Sequence, residues 1–283
     1  MKKLFFLIIM LVAMVGTTTV KAQNVLDGIY PKEHVLNRKP IPYPHVREAD
    51  VMWAKKVWRV IDLREKINLP LYYPINTMDG RYSLIQLLIH GIQYEGLTAY
   101  STKNDDEFKV EMSYDQVLYE MGAVGDTLQV KQEDGTFAEQ IVTGELRPEE
   151  VKQILVKEVW FFDRNYSRLD VRIIGLCPIR EYSKSSGEGG SEEVARKQTF
   201  WVYFPQARDL FARNEVFNPR NDAQRRTFDD IFMKRYFGSY ITRESNVYNN
   251  RGIDKYAVGM EAMLESERIK TEIFNFEHDM WEF

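Results

Sequence analysis

The sequence holds 283 residues, with 38 Lys and Arg against 42 Asp and Glu, a formal net charge of −4 and 44% hydrophobic residues. That balance excludes a disordered, collagen-like or polytopic membrane chain and leaves enough length to bury a substantial core. The slight acidity also lacks the basic excess that bulk nucleic-acid binding requires.

The first 22 residues read as an export signal. Lys2 and Lys3 precede an apolar run, Leu4 to Gly16, and Val20-Lys21-Ala22 supplies a small-x-small cleavage pattern. Cleavage is expected after Ala22, with an uncleaved anchor as the alternative; the apolar run is too short to span a bilayer as a helix. Removing Lys2, Lys3 and Lys21 with no acid takes the net charge from −4 to −7. No cysteine follows the cleavage site, which argues against a lipoprotein. Cys177, the single cysteine, sits in the apolar run Ile173 to Pro178 and reads as a buried structural thiol. With no second thiol, packing rather than an internal disulfide must hold the fold.

Residues 23–46 read as an extended arm. Pro31, Pro40, Pro42 and Pro44 fix φ and bias their predecessors away from helix. The arm can lie on its own domain near Trp53 and Trp58, or reach a neighbouring subunit. The second is the expectation, because its apolar residues, Tyr30, Ile41 and Tyr43 among them, are awkward to leave in water. Residues 47–283 then read as one domain. Glu48 to Asn68 is expected to be a helix with Val51, Ala54, Val57, Trp58 and Ile61 as its stripe, stopped by Pro70. Leu71 to Ile75 reads as extended and Ser83 to Gly91 as a short buried helix. Leu97 to Tyr100 and Phe108 to Met112 read as strands, and Tyr114 to Met121 as a helical turn or two. Leu128 to Val130 and Phe137 to Val142 flank the turn signal Glu133-Asp134-Gly135.

Ile154 to Phe162 and Leu169 to Leu176 are rich in β-branched and aromatic residues and read as strands joined at Asp163-Arg164-Asn165. Residues 183–198 read as a long flexible loop, polar and Gly/Ser-rich. Thr199 to Phe204 is a strand stopped by Pro205. A helix capped by Asn221 or Asp222 is expected to reach Phe237, with Gly238 as its stop. Ile253 to about Thr271 reads as the last helix, its stripe Ile253, Ala257, Met260 and Leu264. The fold class is α+β: a mainly antiparallel sheet from about 128 to 204 with flanking helices.

Motifs of catalysis are absent. His34, His45, His90 and His278 are scattered, and the sequence has no H-E-x-x-H, G-x-S-x-G or S-x-x-K. No cofactor and no metal are expected. Paired carboxylates of a glycosidase have no sequence signature, so a periplasmic cell-wall or glycan hydrolase or binding protein stays open as the alternative. Tyr occurs 16 times and Trp five times, and Arg clusters late in the chain. Those residue types are enriched at protein–protein hot spots, which makes Arg225, Arg226 and Arg235 candidate interface residues beside Tyr30, Ile41 and Tyr43.

The segment Asn221-Asp222-Ala223-Gln224-Arg225-Arg226-Thr227-Phe228-Asp229-Asp230-Ile231-Phe232 resembles the GldN/PorN family of gliding-motility and type IX secretion proteins. Arg235 to Ile241, Glu244-Ser245-Asn246 and the tail Asn275 to Phe283 continue the pattern. Upstream, Phe161 to Arg164, Arg172 to Gly175 and the Trp53…Trp58-Arg59-Val60-Ile61-Asp62 segment agree. The resemblance implies a non-catalytic periplasmic ring component. Its implied partners are an outer-membrane lipoprotein of the PorK/GldK kind, the periplasmic domain of a PorM/GldM-like motor protein, and further copies of itself. No catalytic residue is implied.

Overall fold

The longest strands are β6 (Val151–Asp163) and β7 (Arg168–Lys184), joined as an antiparallel hairpin. They are the centre of a computed structural model that describes residues 37–103, 106–123, 127–131, 137–141, 146–184, 193–221 and 223–280. The Asn165 N–H donates to Asp163 Oδ1 at 2.8 Å and Ser167 takes a φ of 49°, which together turn the chain between the strands.

The sheet grows outward from this hairpin. On one side lie β1 (Val51–Asp62) and then β12 (Tyr240–Glu244); on the other lie β9 (Phe200–Tyr203), β2 (Ala99–Ser101) and β3 (Glu111–Met112). β8 (Glu193–Gln198) pairs with the far end of β7, making eight strands. Every pairing in this sheet is antiparallel. Two small ladders stand apart: β4 (Thr127–Lys131) with β5 (Phe137–Ile141), and β10 (Glu215–Val216) with β11 (Arg226–Thr227). With six helices among the described residues, the fold is α+β, as the sequence predicts. The sheet draws on residues 51 to 244 rather than 128 to 204.

β1 overturns the expected first helix. Val57 to Ile61 are consecutively buried because both faces of this strand are covered, and an unbroken buried run carries no strand period. The helical stripe was a coincidence of spacing; Val51, Trp53, Val57, Trp58, Val60 and Ile61 are residues that suit a pleated sheet. Phe108 also leaves the predicted strand. Its φ of 55° bends the backbone, and pairing begins only at Glu111. Residues 183–184 and 193–198 belong to paired strands rather than to a loop, while 185–192 lie outside the described residues.

The helices follow. α1 (Leu69–Tyr72) replaces the extended segment expected from Leu71, and Pro70 opens it instead of ending a helix. α2 (Leu84–Tyr94) and α3 (Tyr114–Glu120) are closed at their starts by capping boxes from Ser83 with Gln86 and Ser113 with Gln116. α4 (Phe204–Arg213) runs on where the sequence predicts a stop at Pro205; the proline occupies the first turn, where the missing N–H costs nothing. α5 (Phe228–Met233) is shorter than expected because Thr227, and not Asn221 or Asp222, caps it. Between Ile253 and the last helix, α6 (Met260–Asp279), Gly259 takes a φ of 64° and resets the helical phase.

Alternate strand residues place the core on both sheet faces. On one face Ile61, Val156, Leu176 and Val202 pack under α2, α4 and α5, and Val57 and Ile241 pack under α6. On the other face Trp58, Val60, Leu155, Cys177, Ile179 and Trp201 form a separate cluster. Phe108 closes part of it by edge contacts with Tyr100 and Trp201, over the bare backbone of Gly175.

Candidate interaction surface

Charged side chains tie the layers together. Glu158 is fully buried between the two core clusters under the helices. Arg235, just past α5, donates to it from Nη1 at 2.9 Å and Nη2 at 3.2 Å, and the Trp160 indole donates at 3.2 Å. Arg59 Nε stands 3.2 Å from the same carboxylate without a hydrogen bond of good direction. Burial, opposed by Glu158, pulls the Arg59 guanidinium below its usual range. On the other face Asp106 accepts from the Trp58 indole and from Arg243 Nη2 at 3.1 Å, and Lys157 donates to its backbone carbonyl at 2.6 Å. These contacts clamp the 106–110 segment onto the sheet.

The described part of the arm, residues 37–46, lies on its own domain, though not at Trp53 and Trp58. The Tyr43 ring is held between the guanidinium groups of Arg172 and Arg208, 5.0 and 4.4 Å from its centre. Arg172 Nη2 donates to the Pro44 carbonyl at 2.6 Å, and Arg38 pairs with Asp230 at 2.8 Å. Burial raises the Tyr43 hydroxyl above its usual range, with Arg208 pulling the other way. Asp230 is partly buried, which opposes its charge. Hydrogen bonds from Thr227 and Arg38 outweigh that and hold its carboxyl low.

The candidate interface residues fall into different settings. Ile41 points outward, 76% exposed. Tyr43 is fixed in its arginine sandwich. Arg225 pairs with Glu215 at 3.3 Å, Arg226 lies over the Tyr236 ring at 5.4 Å, and Arg235 serves Glu158. Tyr30 lies outside the described residues. The structure thus does not gather the five described ones into one patch.

A feature the sequence reading placed the wrong way round is the outer face of α6. Met260 and Leu264, expected to point inward, are 70% and 64% exposed, and Met263 and Phe274 share that side. The inward stripe is Ser266, Ile269 and Ile273, with Phe276 stacked on Trp53 at 4.6 Å. The phase reset at Gly259 explains the inversion. A periodicity count started at Met260 rather than at Ile253 would have found the true stripe.

A cleft of about 1040 Å³ opens where β12 meets the 249–255 segment and the start of α6, with Val60, Leu155 and Trp201 in its wall. Its charged lining is Glu65, Asp106, Arg243, Asp254, Lys255 and Glu267, of which Asp106 and Arg243 are mutually engaged. Among the described residues no group of three or more His, Cys, Asp or Glu is arranged to hold a metal, and no helix is long and apolar enough to cross a membrane. Among the described residues, the carboxyl groups whose acidity the fold moves, Asp62, Glu107, Asp230 and Glu265, move down, away from what a general acid needs.

Asp62 is the clearest of these, lowered to about 2 chiefly by a hydrogen bond from Arg64. A folded-state value below the unfolded one stabilises the protein above about pH 4, and that contribution is lost as the pH falls toward 2. Solvent screens this partly exposed pair, so the effect is about 1 kcal/mol at most. Asp62→Asn is expected to flatten the stability decline between pH 5 and 2 in urea titrations; an unchanged slope would count against the assignment.

Cys177 is completely buried, and burial pushes its thiol far above the ordinary range. The native protein is expected to leave a thiol reagent such as Ellman's reagent unreacted for hours and to release one equivalent on unfolding in urea. Rapid labelling of the native state would show that the strand opens locally.

Residues 46–282 match the family described as gliding motility associated protein GldN. The chain belongs to the GldN family. It is accordingly a gliding-motility-associated protein, and no match was found among curated proteins. The GldN span begins at Val46 and takes in every element from β1 to α6, while the exposed part of the arm precedes it. Within it, the segment Asn221 to Phe232 serves the fold. Asp229 forms a two-pronged pair with the buried Arg208 at 2.9 and 3.1 Å, Asp230 joins the Thr227 cap, and Phe228 and Phe232 enter the core. The resemblance read from this stretch is therefore carried by residues that hold α4 to α5.

Proposed function

We propose that this chain is a non-catalytic periplasmic component of the type IX secretion and gliding machinery. In this reading it assembles into a ring with a GldK-like outer-membrane lipoprotein and touches the periplasmic domain of a GldM-like motor protein. The GldN family match over residues 46–282 carries the proposal. The export signal read at the N-terminus supports the compartment. The shape of the chemistry supports a structural role: its buried charges are committed to one another, and its carboxyl groups are tuned downward. The test is to express the full chain with a C-terminal tag in a gliding or type IX-secreting host and isolate it from the cell envelope. Recovery at very high mass together with one lipoprotein is the expected result. Recovery as a free monomer or dimer in that host would overturn the proposal.

A further inference from the structure

We propose that the outward face of α6 in one copy receives the arm of a second copy, residues 37–46 together with the adjoining Arg47, so that the chain associates head to tail. The inference rests on the ring reading above and names the surface that builds it. Met260, Met263, Leu264 and Phe274 are each more than 60% exposed on one side of one helix. Single exposed apolar side chains are ordinary, but Met260, Met263 and Leu264 crowded within five residues, with Phe274 on the same side beyond the Glu267–Lys270 pair, mark a contact surface. Because the stripe is exposed, the arm of its own copy does not cover it.

Charge selects the occupant. α6 carries Glu261, Glu265, Glu267, Glu272, Glu277 and Asp279 against Arg268 and Lys270, a net −4. Glu261, Glu277 and Asp279 make no ion pair among the described residues, while Arg268 and Lys270 are engaged by glutamates of the same helix. The described arm, residues 37–46, carries Arg38 and Lys39 with no acid, a net +2, and Arg47 follows it directly, ahead of Glu48; Arg38 is committed to Asp230 of its own copy, which leaves Lys39 and Arg47 to face a partner. Lys39 and Arg47 are exposed and make no ion pair among the described residues. Ile41 and Pro42 stand exposed between them as the apolar partner for the methionine stripe.

Reach and rigidity agree with this pairing. An extended segment of this length spans about 34 Å at roughly 3.1 Å per residue, and α6 is about 30 Å long at 1.5 Å per residue. Arg38, Tyr43 and Pro44 fasten one edge of the arm to β7, α4 and α5, leaving the Lys39, Ile41 and Arg47 edge free. Docking such a preset edge costs less ordering entropy than docking a loose segment. A contact between two different surfaces is heterologous, and repetition of it closes a ring or extends a filament.

The experiment uses the full chain carrying Ile41→Cys and Leu264→Cys together, and each substitution alone. Both positions are exposed and Cys177 is buried, so circular dichroism should be unchanged and cross-links should report only the new thiols. After mild oxidation the double variant is expected to give a ladder of covalent oligomers on non-reducing gels, and each single variant none. Lys39→Glu with Arg47→Glu should weaken association at least tenfold in sedimentation, and Glu261→Lys with Glu277→Lys in the partner copy should restore it. A Leu264→Cys dimer without a ladder would overturn the proposal in favour of two helices facing each other. Absence of any ladder while the lipoprotein still co-purifies would overturn it and leave the ring reading standing. Loss of both would sink the ring reading as well.

Discussion

Glu158→Gln is expected to cost about 3 to 5 kcal/mol of folding stability, the penalty for removing one partner of a buried charge cluster. The carboxylate is the counter-charge shared by Arg59 and Arg235, and neither cation has a comparable substitute nearby. Glutamine keeps the size and one acceptor but leaves two guanidinium groups facing each other across it. Arg235 is about a quarter exposed and can turn toward water, which favours the lower end of the range. Urea denaturation of Glu158→Gln, Arg235→Gln and the double variant would measure it. The double variant should cost less than the two singles together, because losing the second cation relieves the first loss. A single-variant cost under about 1 kcal/mol would show that solvent, rather than the sheet, compensates the arginines.

Phe232→Ala should be similarly severe, at about 3 to 5 kcal/mol. The ring is 1% exposed and meets Phe204, Phe211 and Phe237 at centroid distances of 5.5, 5.6 and 5.9 Å. These rings join α4 to α5 and to the turn that carries Arg235, so a cavity there also loosens the guanidinium that serves Glu158. At about 2 to 4 °C per kcal/mol for a domain of this size, the melting temperature should fall by roughly 10 °C. Phe232→Leu, which restores most of the volume, should recover more than half of the loss. Equal losses for Ala and Leu would point to ring-specific contacts rather than volume.

The legible parts of the fold were those with one dominant signal. β6 and β7 announced themselves by β-branched and aromatic runs around a turn, and α2 by its Ser83 start and apolar content. The misread parts carried two signals at once. In β1, burial on both faces erased the alternation that marks a strand, and the remaining apolar positions fell on helical spacing. Pro205 can stop a strand and start a helix, and here it does both. β8 is built from Glu193, Arg196, Lys197 and Gln198, so its membership depends on the hydrogen-bonding edge of β7 rather than on its own composition.

The interaction surface was less legible for a related reason. Arginine enrichment is visible in a sequence, but whether a guanidinium faces a partner or a buried carboxylate is settled by residues far away in the chain. Arg235 depends on Glu158, and Arg208 on Asp229. The α6 stripe was hidden by a single glycine, since helical phase can be counted only once the starting residue is known.

The place of β1 in the strand order has a consequence for how the chain is made. Synthesis delivers this strand first, yet one neighbour, β6, arrives only midway through the chain and the other, β12, near its end. Trp58 sits across from Lys157 on one side and Arg243 on the other. The β6–β7 hairpin can close locally, but β1 must wait for it, and β12 must then cross the length of the chain to seal the remaining edge. Pairing at such long sequence separation is slow, and the open edge is a template for another chain in the meantime. A nascent or truncated chain that stops before Tyr240 therefore presents an unsealed strand bearing Val57 and Trp58. Such fragments are expected to aggregate through that edge, with the complete C-terminal third acting as the natural safeguard.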